Sequence, residues 1–383
     1  MSRFRVVSRA ISVSYHPSRD EWQAKAPAEL GMRADGLRAA VDYHLAHESA
    51  WPRDFITPSG RYIGVADEPE APGDVLGPIR PRGGPNGLVL RSGYIVAEWG
   101  DTRRADMSFS VAKSYLAALA GLALAQGLVK SVDDPVSSYS LDDGFTSPQN
   151  HTITWRQLLT QTSEWQGTLW SKPDSIDHNR DLRTSELGAA VKGRPRPLQA
   201  PGTFWEYNDV RVNRLSLSLL QAFRRPLSDV LKRAMMDPIG ASAEWEWQPY
   251  RNSWFEIAGV RMPSVPGGSH WGGGLWMASR DHARFGLLIH RGGRWEGKEL
   301  LPTAWVRAMR APCPVYSEYG LLWWLNTGRG QFPGASESCY AARGAGSNVI
   351  FIDPELDLVA VVRWIDKASL PGFVRLLVES VAR

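Results

Sequence analysis

Ten consecutive residues, Leu116 to Ala125, "LAALAGLALA", carry no polar side chain. A helix apolar on every side belongs in the middle of a core, so the fold is built around this segment. Ten residues are too few to span a bilayer, which takes about 20. The segment is headed by "SFSVAKSY", and there the sequence sets up a conflict. Lys113 stands at the start of a buried helix, in a chain where only eight of 44 cationic residues are lysine. A buried ammonium is costly unless something there pairs with it or uses it.

Ser110 precedes Lys113 by three positions. On a helix, that spacing puts both side chains on one face, within hydrogen-bond reach. The positive end of a helix disfavours a cation, so Lys113 is expected to give up its proton readily and act as base for the serine. The Ser110 N–H, an orphan donor at the helix start, can serve as half of an oxyanion hole. A short motif also arises by chance. Ser108 or Ser110 is then only a helix cap, and Lys113 snorkels outward.

The bulk properties exclude several classes. With 383 residues, 43% of them hydrophobic, the chain can bury a large core. Its formal charge of +4 is scattered, without the basic stripe that nucleic-acid binding needs. The first 22 residues lack the apolar run of a signal peptide, so a soluble cytoplasmic protein with no membrane association is expected. Cys313 and Cys339 fit no metal spacing and are read as buried thiols or a single bridge. The histidines show no H-x-x-x-H or H-E-x-x-H pattern, and no G-x-G-x-x-G links a strand to a helix. No metal and no cofactor are expected.

The periodicity predicts an early helix with Leu37, Val41 and Leu45 inward, then a Pro/Gly-rich loop over 51–86. "GLVLRSGYIVAEWG" reads as a hairpin turning at Arg91-Ser92-Gly93. After the apolar helix, ended by Gly127, come a short helix from Thr154 and a polar loop from Lys172 with a helix after it. Helices over 210–225 and 226–240 follow. A helix with Ala283, Leu287 and Leu288 inward, a strand at "YGLLWWLN", a strand pair in "GSNVIFIDPELDLVAVVRWID" and a terminal helix complete the chain. Strand–helix alternation is absent, which argues against a doubly wound sheet. The expected fold class is α+β. An antiparallel sheet flanked by helices comes from 1–127 and 266–383, and a mostly helical domain, 128–265, is inserted.

Further elements sit at telling distances from Ser110-x-x-Lys113. "PGTFWEYND" places Tyr207 just past a Pro-Gly turn, leading into a helix, and "ARGAGSN" is a strand end of small residues. With "DDPV", "ITWRQLLTQTS" and "GGGLWMASRDHARFG" in this order, the chain resembles the β-lactamase-related serine hydrolases from about residue 30 to 380. That group takes in class C β-lactamases, family VIII carboxylesterases, D-aminopeptidases and 6-aminohexanoate-dimer hydrolases. The resemblance implies the fold of β-lactamases and penicillin-binding proteins, with the active site at the seam between domains. It implies a cofactor-free hydrolase acting through an acyl-enzyme on a small-molecule ester or amide, and leaves open a homo-oligomer. By the same resemblance Ser110 is the nucleophile, Lys113 the base and Tyr207 the proton relay, and the oxyanion hole is the backbone N–H of Ser110 and Ser347.

Two departures bear on substrate. Asp209 stands where the family's Tyr-x-Asn has its asparagine. It either accepts from Lys113, raising the lysine pKa, or caps the following helix. Gly344-Ala345-Gly346 stands where lactamases carry Lys-Thr-Gly, and Arg343, one position earlier, is expected to point to the other face of its strand. This favours an ester or linear amide over a β-lactam. A β-lactamase, a D-amino peptidase or a penicillin-recognising sensor remain alternatives. Trp165, Trp170, Trp205 and Trp271 fall in loops beside the motifs, as core packing or as an acyl pocket. At most one of Trp323 and Trp324 faces the cleft. His270 is a further candidate for the cleft wall. The loop with Asp174, Asp177 and Asp181 either meets a cationic amine or is simply solvated.

Overall fold

The computed structural model describes residues 15–66, 68, 74–182 and 191–382. The helix expected after the Lys172 loop falls largely outside these residues. In chain order, α1 (Ala34–Ala46) is followed by the hairpin β1 (Asn86–Arg91) and β2 (Tyr94–Trp99), then by β3 (Asp106–Met107) and α2 (Val111–Ala125). The middle of the chain holds α3 (Trp155–Leu159), α4 (Asp209–Phe223), α5 (Leu227–Leu231) and β4 (Glu246–Gln248). Next come β5 (Gly274–Met277), α6 (Ser279–His290) and α7 (Thr303–Ala308). The strands β6 (Trp324–Leu325), β7 (Tyr340–Gly344), β8 (Asn348–Asp353) and β9 (Leu358–Arg363) lead to the terminal helix α8 (Leu370–Glu379).

Six of these strands form one antiparallel sheet in the order β6-β7-β8-β9-β1-β2, so both ends of the chain contribute to it. Residue alternation divides the sheet's two faces. Leu88, Leu90, Ile350, Ile352, Val359 and Val361 pack with α2 and α6. Val89, Val349, Phe351, Ala360 and Val362 pack with α1 and α8. β8 and β9 are buried along their whole length, which is why they read as unbroken apolar runs. A second sheet, β3-β5-β4, ties the residues just before α2 to the middle of the chain.

α2 is the centre of the molecule. Every residue from Val111 to Ala123 is buried, Lys113 included, as a helix apolar all round requires. Its alanines and leucines are also the strongest helix formers. No helix among the described residues is long and apolar enough to cross a membrane.

Some local expectations need correction. α1 turns Leu37, Ala40 and His44 inward, while Val41 is half-buried and Leu45 is exposed, so its inner face is rotated from the one predicted. His44 wins the inner position because its imidazole is satisfied there, by the Arg363 carbonyl at 3.0 Å and the Trp99 indole N–H at 2.9 Å. Among the described residues, the middle of the chain has one long helix, α4, with short helices and hairpins, and these residues are less helical than predicted. The helix expected over 226–240 is α5 continued by a π-helical turn, Lys232–Met236. Both cysteines are buried and unbridged.

Candidate active site

Ser110 sits at the joint between β3 and α2. Phe109, just before it, has φ +49°, an unusual conformation for a residue with a side chain, and it turns the chain sharply into the helix. One turn on, the Lys113 Nζ donates to Ser110 Oγ at 2.8 Å, to Asp209 Oδ1 at 2.5 Å and to the Gly267 carbonyl at 3.2 Å. The lysine therefore does not snorkel out. Three acceptors satisfy its three N–H donors inside the protein.

Asp209 is the first residue of α4. The cap of that helix is its neighbour Asn208, whose side chain accepts from the Arg211 N–H at 3.1 Å. Of the two roles open to Asp209, the structure takes the pairing with Lys113. Its second oxygen meets Arg180 Nη1 at 2.7 Å and His270 Nδ1 at 3.2 Å. Burial works against this carboxylate, yet Lys113, Arg180 and His270 together hold it well below the usual carboxylate range. The consequence for the lysine corrects the sequence reading. Burial alone would lower the Lys113 pKa, but Asp209 outweighs it, with Tyr207 adding to the effect. The Lys113 pKa therefore lies above its ordinary value, not below it.

Tyr207 is held by the loop before α4. The Asn208 N–H donates to Gln161 Oε1 at 2.9 Å, and the Glu206 N–H to the Gln161 carbonyl at 3.1 Å. Behind the loop, Arg211 is paired with Glu164 at 2.5 Å and Asp174 at 3.1 Å. The Tyr207 ring has Lys113 Nζ 4.8 Å and the Arg180 guanidinium carbon 5.2 Å from its centre, and it stacks on Trp324 at 5.7 Å.

Opposite Tyr207 runs β7. Its Gly344 lies so close to the nucleophile that a Cβ there would come within 2.4 Å of the Ser108 carbonyl and 3.1 Å of the Ser110 N. Gly346 lies instead against the Trp364 ring. The Gly344→Val variant is therefore expected to push β7 off the nucleophile, with overpacking worth roughly 1–3 kcal/mol. A melting temperature at the native value, together with unchanged reactivity of Ser110, would contradict the close approach.

These groups open on a cavity of about 910 Å³, lined by Ser110, Tyr207, Gly344, Ala345 and Ser347 together with the aromatic wall Trp205, Tyr316 and Trp324. Trp324 is the one of its pair that faces the cleft, and Trp323 is fully buried. Several expected lining residues lie elsewhere. Trp165 is core, its indole N–H on the Gly144 carbonyl at 2.7 Å. Trp170 packs edge-on against Tyr250. Trp271 is fully buried with its N–H on Glu68, and His270 bridges Asp209 and Glu68 behind the lysine. Gly346 does not line the cavity either. Of the three loop acids, Asp174 and Asp177 are buried in ion pairs, and Asp181 reaches the cavity.

Arg180 and Glu68 carry no signal in the sequence reading, and Arg343, expected to point away, lines the cavity. Arg343 does start on the far face of β7, the face of Ala341. From there its guanidinium curls round the strand edge to within 5.6 Å of the Trp324 ring centre and joins the cavity wall. Alternation along a strand fixes where a Cβ points, not where a long side chain ends.

The fold is shared with known proteins. Among solved structures, a penicillin-binding protein homolog from Caulobacter crescentus superposes with a TM-score of 0.59 at 14% identity, over 91% of this chain and 99% of that one. A putative 6-aminohexanoate-dimer hydrolase from Bacillus anthracis gives 0.57 at 14%, over 95% and 97%. EstCE1, described as a hydrolase with promiscuous acyltransferase activity, gives 0.55 at 15%, over 91% and 99%. At these identities the likeness is one of fold. No curated protein matches the sequence. A family model, Beta-lactamase, matches residues 102–368, from just before β3 to just before α8, and on that match the chain belongs to the beta-lactamase family.

Proposed function

We propose that the protein is a serine hydrolase that cleaves an ester or linear amide through an acyl-enzyme on Ser110. The observation that carries this reading is the Lys113–Ser110 hydrogen bond of 2.8 Å in the lining of the cavity, within a family of hydrolases. Structures of similar fold described as a putative 6-aminohexanoate-dimer hydrolase and as a hydrolase with promiscuous acyltransferase activity support the bond class.

In this mechanism Ser110 Oγ attacks the acyl carbonyl and its proton passes to Lys113 once that lysine is neutral. Tyr207 then delivers a proton to the leaving group. The developing oxyanion is met by two backbone N–H groups. One is that of Ser110. For the second, the backbone register favours Ala345 over Ser347. The Cys339 carbonyl accepts from Asn326 on the β6 side, so alternate residues along β7, through Arg343 to Ala345, present their backbone groups on that edge, beyond the end of β6. Ser347 is the last residue of the turn, with φ +52°. Neither the Ser110 nor the Ala345 N–H donates elsewhere among the described residues. Each such donor is typically worth about 3 kcal/mol in the transition state.

A fluorophosphonate tests the nucleophile directly. Mass spectrometry is expected to find a single adduct, on the peptide holding Ser110. An adduct on another serine would overturn the assignment. A second reading, a β-lactam or D-amino peptide as substrate, gains one observation, because Arg343 supplies a cation to the cavity where the Lys-Thr-Gly lysine is missing. Turnover of nitrocefin at rates above those for p-nitrophenyl esters would favour it.

A further inference from the structure

Behind Lys113 lies a second set of groups for which the hydrolase mechanism gives no role. His270 Nδ1 stands 3.2 Å from Asp209 Oδ2, and its Nε2 stands 2.6 Å from Glu68 Oε1. Glu68 also accepts the Trp271 indole N–H at 3.0 Å. The ring and both carboxylates are almost fully buried. We infer that Glu68 and His270 are positioning residues for acylation, forming with Asp209 a carboxylate–imidazole–carboxylate chain that governs how strongly Asp209 engages Lys113. The inference rests on the serine-hydrolase reading.

Donor chemistry gives the chain its direction. A neutral imidazole carries one N–H, while both nitrogens of His270 face carboxylates. Both bonds therefore form only when the ring holds two protons. Glu68 is the carboxylate acceptor at Nε2. Burial alone would raise its carboxyl, but the charge and hydrogen bond of His270, with Lys192, bring it down to about 2. Other charged groups face the same site. Lys192 lies 3.4 Å from Glu68, 3.4 Å from Asp177 and 3.4 Å from His270 Nε2. Lys172 lies 3.8 Å from Glu68 and 3.0 Å from Asp74. Arg180 joins Asp177 to Asp209. The two lysines are shared between carboxylates, whereas His270 alone among the described residues connects Glu68 to Asp209. A cationic ring on Asp209 draws part of its field away from Lys113. Loss of that ring charge leaves Lys113 holding its proton more tightly, and Ser110 less reactive near neutral pH.

The probe is the rate of Ser110 labelling by a fluorophosphonate at pH 8, which requires no knowledge of the substrate. Glu68→Gln and His270→Gln are each expected to slow it about threefold or more, the effect of roughly half a pH unit on a group that must lose a proton. In an Asp209→Asn background the same substitutions are expected to change the rate little, because the chain acts only through the Asp209 carboxylate. Glu68→Asp, which keeps the charge, is expected to recover part of the loss. Equal losses in both backgrounds would assign these residues a merely structural role and overturn the inference, as would unchanged labelling in the single variants. If Glu68→Gln fails to fold, the His270→Gln pair of backgrounds decides alone. Absence of labelling at Ser110 in the native enzyme would instead refute the hydrolase reading.

Discussion

Ser110→Ala is expected to abolish turnover of a short-chain p-nitrophenyl ester, by roughly 10⁴-fold or more, while leaving the fold intact. The size follows from removing the nucleophile, since the members of such a device act as a unit. The survival of the fold follows from the geometry around Lys113. The variant deletes one of three acceptors, and the ammonium keeps Asp209 at 2.5 Å and the Gly267 carbonyl at 3.2 Å. No buried charge is left unpaired, so the large penalty of breaking a buried ion pair does not arise. The hydroxyl is replaced by a smaller group at the edge of the cavity, where no new clash can form. Melting temperature and kcat/KM measured on the same preparation check both halves. Retained turnover would remove Ser110 from the mechanism. A collapse of stability would show that the Lys113 pairing depends on the hydroxyl far more than its three bonds imply.

What the sequence made legible was the part written in local spacing. Ser110 and Lys113 are one helical turn apart, and the ten apolar residues after them can only be a core, so their meeting on the first turn of α2 needed no knowledge of the rest. β8 and β9 announced themselves as buried strands for the same reason. The groups around Lys113 were only partly legible because they arrive from far along the chain. Asp209 is 96 residues away, and Glu68 reaches His270 across 202. The sequence could offer Asp209 as a lysine partner or a helix cap, and only the fold shows Asn208 already holding the cap. Aromatic residues beside a motif proved a weak guide to the cavity. Trp165 and Trp205 both flank it in sequence, yet a carbonyl within reach of its indole drew Trp165 into the core, while Trp205 joined Tyr316 at 4.2 Å on the cavity wall. Arg343 was misjudged for a different reason. Its backbone faces as expected, but β6 is only two residues long, and the short neighbour leaves an edge for the side chain to pass around.

Asp209→Asn is expected to move the pH dependence of the enzyme downward and to make it faster than the native protein near pH 8. Lys113 must be neutral to accept the Ser110 proton, so the rising limb of kcat/KM follows the lysine of the free enzyme. In the native protein the Asp209 charge outweighs burial and holds that lysine above its ordinary value. Below the limb, each unit of pH then costs a factor of ten in the reactive form. An asparagine keeps the shape and one acceptor but removes the charge. Burial is then the dominant influence on Lys113, and it acts in the opposite direction, lowering the pKa. Arg180 also loses the closer of its two carboxylates, keeping Asp177 at 3.4 Å, so the faster variant is expected to be the less stable one. The gain near neutral pH is thus opposed by a lower melting temperature, a trade of stability against activity at a single atom pair. The profile of kcat/KM against pH, or of fluorophosphonate labelling where no substrate is turned over, decides the matter. The native profile is expected to climb without a plateau across pH 6 to 9, and that of Asp209→Asn to level off at a lower pH than the native one. A limb that stays in place would show that Lys113 is not the group whose proton loss frees Ser110, and would pass that role to Tyr207.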